Sequence, residues 1–175
     1  MKGKAMVLSV LLCASFLVYM LSSRSTQEQA SVIEGLVVPN IMLKDNAGKN
    51  ITIESLKGTP LFLHFWASWC TTCDEEMPTL QALHVQNKTG TTINIITVPY
   101  RDKEGEVANY MKTGRYDFPV FFDENSNAAK TMGVTGVPET YLIDKTGTLF
   151  KKILGPIDWE SAPAKTLINE LIKRG

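Results

Sequence analysis

The sequence predicts an α/β fold in which helices flank a central mixed β-sheet. Two apolar segments, 61–66 and 93–98, have the composition of buried strands, and a helix-compatible segment separates them. A strand–helix–strand order calls for a parallel pair joined by a right-handed crossover. Nearer the C-terminus, segments 139–143 and 149–153 flank a turn composition at 144–147 and predict an antiparallel hairpin, which makes the sheet mixed.

The first 23 residues predict a membrane anchor. Residues 5–21 are almost uninterrupted apolar sequence, and Lys2 and Lys4 precede them. With two following serines the segment is nineteen residues long, about 28 Å of helix, which just spans a hydrocarbon core of about 30 Å. A cleaved signal peptide is the alternative, although its apolar core is usually shorter. Lysines before the span predict a single-pass topology with the N-terminus in the cytoplasm; in a bacterium this places the rest of the chain on the periplasmic or outer side of the cytoplasmic membrane.

The rest of the chain predicts a linker and one domain. Residues 24–35 are polar and predict a short linker, and residues 36–175 are enough for one well-buried domain. At its start, segments 40–43 and 50–53 flank a turn composition and predict a hairpin. The other predicted elements are helices over 103–112, 127–132 and 163–173 and a short strand over 120–122.

The most informative feature is the pair Cys70 and Cys73, which closely follows the buried strand 61–66. The acidic segment 74–77 is helix-compatible and carries Cys73 into a helix. At a helix N-terminus, unpaired N–H groups and the macrodipole stabilise a thiolate and lower the thiol pKa to roughly 3.5–7.5. Cys70 is therefore the predicted nucleophile. Cys73 lies about one turn away and is the predicted resolving thiol, so the redox group is the Cys70–Cys73 disulfide, with no further cofactor.

Three other kinds of site are compatible with a cysteine pair. A structural zinc site needs four ligands, yet the remaining candidates are Cys13 in the apolar N-terminal segment, His64 and His84. An inert structural disulfide would close so short a loop that it would stabilise the fold only weakly. A copper site made of the two thiols and a histidine is the third, because thiolates suit Cu(I), and it leaves a copper-binding chaperone as an alternative function.

Two motifs in the right order carry a family resemblance. The first is Phe65-Trp-Ala-Ser-Trp-Cys-Thr-Thr-Cys-Asp-Glu-Glu-Met-Pro78, and the second is Gly133-Val-Thr-Gly-Val-Pro-Glu-Thr-Tyr-Leu-Ile-Asp144. Over roughly residues 36–175 the chain resembles the membrane-tethered thioredoxin-like proteins of the TlpA/ResA/DsbE group, and the second motif is most similar to the DsbE (CcmG) branch. The resemblance implies a thioredoxin-like fold with an N-terminal β-hairpin and an inserted helix–strand unit. It also implies a thiol:disulfide oxidoreductase that acts as a reductant.

The resemblance implies roles for individual residues. Pro138 matches the family's cis-proline, which faces the dithiol and leaves the backbone of Val137 free to pair with an extended substrate segment. Glu76 matches an acidic residue near the active site of the reductase branch, although a glutamate is also ordinary in a first helical turn. Trp69, directly before the nucleophile, belongs with these supporting residues. Pro78 is expected to kink the helix, and the family tolerates a proline there.

Two departures from the family pattern limit these expectations. Thr71 and Thr72 separate the cysteines without a proline, and this dipeptide strongly influences redox potential, which leaves the direction of electron flow open. His64 occupies the strand position where thioredoxins have a buried aspartate and this subgroup usually an asparagine. It could relay the proton of Cys73, and a satisfied core histidine is the alternative.

Partners follow from compartment and resemblance. A dithiol outside the cytoplasm cannot be reduced directly by cytosolic thioredoxin, so a membrane protein must deliver electrons. The resemblance implies a donor of the DsbD or CcdA type, and a protein disulfide substrate such as apocytochrome c or a partner that presents it. A thiol oxidase of the same fold is the nearest alternative. A thiol peroxidase would need a Thr or Ser where Ala67 stands and a proline where Leu63 stands.

Charge excludes one class of partner. The chain has 18 basic and 18 acidic residues, and no basic cluster interrupts the region after the predicted anchor. Without a positive field, nucleic-acid binding is not expected.

Overall fold

The computed structural model describes residues 16, 32–90 and 93–175. Apart from Phe16, the predicted anchor over 1–23 lies outside the described residues, as do Cys13 and linker residues 24–31. Within the described part of the chain, no helix has the length and apolar character needed to span a bilayer.

Seven strands and four α-helices make up the described chain. The strands are β1 (Met42–Asp45), β2 (Asn50–Thr52), β3 (Leu61–Trp66), β4 (Asn94–Pro99), β5 (Phe121–Phe122), β6 (Glu139–Ile143) and β7 (Leu149–Leu154). The α-helices are α1 (Met77–Thr89), α2 (Glu104–Gly114), α3 (Asn127–Met132) and α4 (Ala162–Lys173). Short 3₁₀ turns cover Glu54–Leu56, Cys73–Glu75 and Glu124–Ser126. Each strand and α-helix lies within two residues of its predicted position, except the start of the dithiol helix, and the 3₁₀ turns at Glu54–Leu56 and Glu124–Ser126 were not predicted.

The main sheet has four strands in the order β4-β3-β6-β7. β3 and β4 are parallel, with Leu61 opposite Asn94 and Trp66 opposite Pro99. β6 is antiparallel to both β3 and β7. The prediction of a mixed sheet with a parallel pair and a C-terminal hairpin is therefore confirmed.

The strand predicted over 120–122 is present, but it does not belong to the main sheet. Val120 makes only an isolated parallel bridge to Thr97, and β5 then pairs antiparallel with β1 in a second sheet of order β2-β1-β5. The N–H and hydroxyl of Thr97 both donate to the carbonyl of Pro119. Because Pro119 has no N–H, it cannot extend the ladder, and the chain leaves β4 for the N-terminal hairpin.

β3 is the centre of the core, since all six of its residues are buried. Phe62 and Trp66 pack on one face with residues of α1 and α4, and Phe62 meets Trp159 edge to face at 4.6 Å between ring centroids. Leu63 and Phe65 pack on the other face with residues of α3 and β6. A strand covered on both faces explains its continuous apolar sequence, and it makes the carboxyl end of β3 a rigid support.

The dithiol helix begins later than predicted. Cys73 starts a 3₁₀ turn that ends at Glu75, and α1 starts at Met77 after the intervening Glu76. Pro78 consequently lies in the first turn of α1, so the expected kink inside the helix is wrong. A proline there lacks only an N–H that has no partner within the helix, which is why the position tolerates it.

Candidate active site

The cysteine pair follows β3 through a series of tight turns. The N–H of Cys70 donates to the carbonyl of Ala67, and the N–H of Cys73 donates to the carbonyl of Cys70, each at 3.1 Å. The N–H of Glu76 continues the pattern to the carbonyl of Cys73 at 3.1 Å. These bonds turn the chain back over the end of β3 and bring both sulfur atoms together.

Cys70 and Cys73 form a disulfide, with 5.3 Å between their Cα atoms. The two residues differ in access: 6% of Cys70 is exposed, whereas Cys73 is completely buried. Only Cys70 can therefore meet a substrate from outside. The buried Cys73 lies within bonding distance of Cys70, as its predicted role of resolving thiol requires.

Two donors surround the sulfur of Cys70. The backbone N–H of Cys73 donates to Cys70 Sγ at 3.2 Å, and Thr72 Oγ1 lies 3.4 Å from the same atom. In the reduced protein these groups can donate to a thiolate and stabilise it. Because α1 starts four residues after Cys73, this local pair acts on the sulfur more directly than the helix dipole does. Thr72 thus gains a role that sequence reasoning did not assign.

The loop before β6 faces the dithiol. The Val137–Pro138 peptide bond is cis, and the carbonyl of Val137 lies 3.6 Å from Cys70 Sγ. The carbonyl of Pro138 accepts from the N–H of Gly155 at 2.9 Å. Among the described residues, the N–H of Val137 has no hydrogen-bond partner. The structure therefore places a half-buried residue with an available backbone donor beside the nucleophile.

Glu139 anchors this loop, and sequence reasoning missed it. Its buried carboxylate accepts hydrogen bonds from the N–H of Thr135 at 3.0 Å, the N–H of Gly136 at 3.3 Å and the hydroxyl of Tyr141 at 2.6 Å. Lys152 Nζ lies 3.1 Å from the same group. Burial alone would raise the pKa of Glu139, but these bonds and the Lys152 charge bring it below its ordinary value. An acidic residue at the start of a predicted buried strand was the available signal.

His64 and Glu76 meet in the interior beneath the active site, and both are completely buried. His64 Nδ1 is 2.8 Å from Thr140 Oγ1 on the adjacent strand β6. On the other side of the ring, His64 Nε2 is 3.4 Å from Glu76 Oε1. Within the described residues, neither His64 Nε2 nor Glu76 Oε1 has another hydrogen-bond partner. Nδ1 of His64 is thus hydrogen-bonded to Thr140, whereas Nε2 faces only the carboxyl group of Glu76.

Glu76 is held from its other side by the segment before α4. Its Oε2 accepts from the backbone N–H of Ile157 and from the indole N–H of Trp159, each at 3.2 Å. Burial raises the pKa of Glu76 to about 7, against the opposing effect of these two bonds. Burial also lowers the pKa of His64 to about 3. Near neutral pH the pair therefore combines a neutral imidazole with a carboxyl group that exchanges its proton readily.

Trp69 is the exposed member of the predicted set. Its side chain is 58% exposed directly before Cys70, and its indole N–H donates to the carbonyl of Arg101 at 3.4 Å. The predicted residues Cys70, Cys73, Val137 and Pro138 thus lie together, Cys73 and Pro138 buried and Val137 half-buried, with the exposed Trp69 beside them. Within residues 32–90 and 93–175, no three His, Cys, Asp or Glu side chains lie close enough together to hold a metal ion.

Comparisons with known proteins agree with this geometry. The model of the AhpC/TSA family matches residues 35–152. A relative named thiol-disulfide oxidoreductase ResA, from Bacillus thuringiensis subsp. konkukian (strain 97-27), is 32% identical over 149 residues, which is 85% of this chain and 85% of that protein. The match includes the segment that carries both cysteines.

Solved structures share the fold. The crystal structure of StoA from Bacillus subtilis is 25% identical with a TM-score of 0.61, over 76% of this chain and 96% of that one. A Chlorobium tepidum protein given the name thiol:disulfide interchange protein DsbE has a TM-score of 0.72 over 81% of this chain and 99% of that one. At 23% identity, the second match bears on the fold alone.

Proposed function

This chain belongs to the AhpC/TSA family and is a thiol–disulfide oxidoreductase, and from that premise we propose that it reduces protein disulfides with Cys70 as nucleophile and Cys73 as resolving thiol. The observation that carries the proposal is the difference in access within one disulfide. Cys70 retains 6% exposure, whereas Cys73 is completely buried behind it in the same disulfide.

The reaction consists of two exchanges at sulfur. The Cys70 thiolate attacks one sulfur of the substrate disulfide, a Cys70–substrate disulfide forms, and the other substrate sulfur leaves as a thiolate. The Cys73 thiolate then attacks Cys70 Sγ, the internal disulfide forms, and the second substrate sulfur leaves. Two electrons and two protons pass to the substrate, and the enzyme ends in the disulfide form that the structure contains.

Glu76 is proposed to handle the proton of Cys73. It directly follows the 3₁₀ turn that Cys73 begins, and a group with a pKa of about 7 can both accept and return a proton near neutral pH. The proton that leaves Cys73 would pass to Glu76 and then to the departing substrate thiolate. His64 supports this step as a positioning residue, because its Nε2 faces Glu76 Oε1 and Thr140 fixes the opposite side of its ring.

Docking of the substrate is proposed to use backbone pairing. The N–H of Val137 is available beside Cys70, so an extended segment that contains the substrate disulfide can pair there. Trp69 supplies an exposed aromatic face next to the nucleophile. Backbone pairing recognises an extended conformation rather than particular side chains, which suits an unfolded protein substrate.

The cellular setting is proposed from the sequence. Residues 1–23 would anchor the protein in the bacterial cytoplasmic membrane with the domain outside. A membrane electron donor of the DsbD or CcdA type would restore the dithiol, and the substrate would be apocytochrome c or a partner that presents it. The apolar N-terminal segment and the resemblance of the two motifs support this setting.

A trapping experiment tests the exchange and identifies the substrate. Cys73→Ser retains the nucleophile without the resolving thiol, so it should accumulate a covalent complex with its partner that reductant releases. Cys70→Ser is the matched control and should trap nothing. If Cys73→Ser forms no such complex in cells, the proposed exchange with protein disulfides is wrong.

The reduction potential of the full chain decides the direction. A value near that of thioredoxin, roughly −270 mV, supports a reductant, whereas a value near roughly −120 mV supports the oxidase alternative. Equilibration with glutathione or dithiothreitol buffers and alkylation of free thiols measures it.

A further inference from the structure

The loop between β4 and α2 is bonded to the loop that carries the nucleophile. The N–H of Tyr100 donates to the carbonyl of Trp66 at 2.7 Å. Two residues later, Asp102 Oδ2 accepts from the N–H of Ser68 at 2.6 Å. The indole N–H of Trp69 reaches the carbonyl of Arg101. Three successive residues of one loop thus contact the turn before Cys70.

Arg101 adopts a conformation that side chains rarely take. Its φ is +50°, in the left-handed region, which costs a non-glycine residue free energy that the surrounding contacts must supply. This conformation lies between the Tyr100 and Asp102 contacts and directs the chain so that both can form. Asp102 uses its second oxygen as well, because Oδ1 accepts from the N–H of Lys103 at 2.8 Å.

From these contacts we propose that Asp102 is a positioning residue for the nucleophile: its half-buried carboxylate holds the backbone of Ser68 and thereby fixes the turn that presents Cys70. The inference depends on the proposed function, since it assigns a role in the Cys70 exchange. This role of Asp102 could not be predicted from the sequence, because Asp102 and Ser68 are 34 residues apart.

The physical reason lies in the short path from Ser68 to the sulfur. The turn at Ala67 to Cys70 is closed by one backbone bond of 3.1 Å, and the Asp102 bond is a second constraint on the same turn. Without it the turn has freedom to rotate, and Cys70 Sγ leaves the position where the N–H of Cys73 donates to it. A charged acceptor makes the stronger kind of hydrogen bond, so its loss matters more than that of a neutral one.

The test compares three variants in the reduced full chain in detergent. Asp102→Ala removes the acceptor, and Asp102→Asn keeps a carbonyl oxygen in its place. Asp45→Ala is the matched control, because Asp45 also accepts two backbone N–H groups, from Ala47 at 2.9 Å and Lys49 at 2.8 Å, but in the N-terminal hairpin. The measured quantity is the second-order rate of Cys70 with an aromatic disulfide, 5,5′-dithiobis(2-nitrobenzoate), with urea unfolding measured in parallel.

The expected results separate positioning from general stability. Asp102→Ala should slow the reaction about tenfold, Asp102→Asn should recover most of the rate, and Asp45→Ala should leave it within twofold of wild type. The proposal is overturned if Asp102→Ala reacts as fast as wild type, or if Asp102→Asn is as slow as the alanine variant. Should Asp102→Ala fail to fold, Asp102→Ser, which also lacks the Oδ2 acceptor, takes its place: a tenfold loss supports the proposal, and a wild-type rate overturns it. A wild-type rate no faster than that of the denatured chain would instead refute the proposed function.

Discussion

Glu76→Gln should change how the stability of the protein depends on pH. Burial raises the pKa of Glu76 from an ordinary 4.5 to about 7, so the folded state binds this proton more tightly than the unfolded chain does. A shift of this size corresponds to about 3 kcal/mol of free energy of unfolding, at 1.36 kcal/mol per pKa unit. This contribution is fully present below pH 4.5 and is lost as the pH rises to about 7.

His64 has the opposite sign, which masks the effect in the wild type. Its folded pKa of about 3 lies below the ordinary 6.5, so the folded state resists its protonation, and stability falls as the pH drops through that window. Between pH 4.5 and 6.5 the two slopes oppose one another. The comparison with Glu76→Gln removes the carboxyl titration while the amide oxygen can still accept from Ile157 and Trp159.

The assay is urea unfolding of the oxidised full chain in detergent, followed by circular dichroism from pH 4 to pH 8. Relative to Glu76→Gln, the wild type should lose about 3 kcal/mol of unfolding free energy across this range. Glu75→Gln, which changes an exposed neighbour, should give a profile parallel to that of the wild type. The reasoning is refuted if the difference between wild type and Glu76→Gln stays constant with pH.

The other predictions concern the loop anchor, the buried histidine and the N-terminal segment. Glu139→Ala leaves Lys152 and the N–H groups of Thr135 and Gly136 without their shared acceptor, so it should lower the free energy of unfolding by about 3 kcal/mol in urea titrations; a loss below about 1 kcal/mol contradicts the anchoring role. His64→Asn should shift the pH dependence of mixed-disulfide resolution, measured by stopped flow, and an unchanged profile removes His64 from the mechanism. Deleting residues 1–23 should move the protein from the carbonate-resistant membrane fraction to the soluble one, and continued membrane retention argues against the anchor.

The sequence predicts those parts of the protein that depend on local pattern. The continuous apolar run of β3, the hairpin β6–β7 and the helix α3 follow from periodicity and turn composition, and the structure contains each of them. The dithiol is predicted for the same reason, since its strand, cysteines and acidic segment are adjacent in the chain.

Features that depend on tertiary contacts escaped prediction. The pairing of β5 with β1 could not be inferred, because a strand of two residues is too short for its sequence pattern to indicate which strand it pairs with. Glu76 and its hydrogen-bond partner Trp159 are 83 residues apart in the sequence, and Asp102 and Ser68 are 34 residues apart. Neither hydrogen bond can therefore be predicted from local sequence spacing. The start of α1 was misplaced because acidic residues suit a 3₁₀ turn as well as the first turn of an α-helix.

The rate of alkylation of Cys70 against pH tests the central claim most directly. In the reduced full chain, the N–H of Cys73 and the hydroxyl of Thr72 should hold the Cys70 sulfur as an anion. Iodoacetamide should therefore modify Cys70 first, with a midpoint well below the value of about 8.5 for an ordinary thiol, while buried Cys73 reacts slowly. Equal reactivity of both thiols, with the midpoint of the urea-denatured chain, would contradict the account.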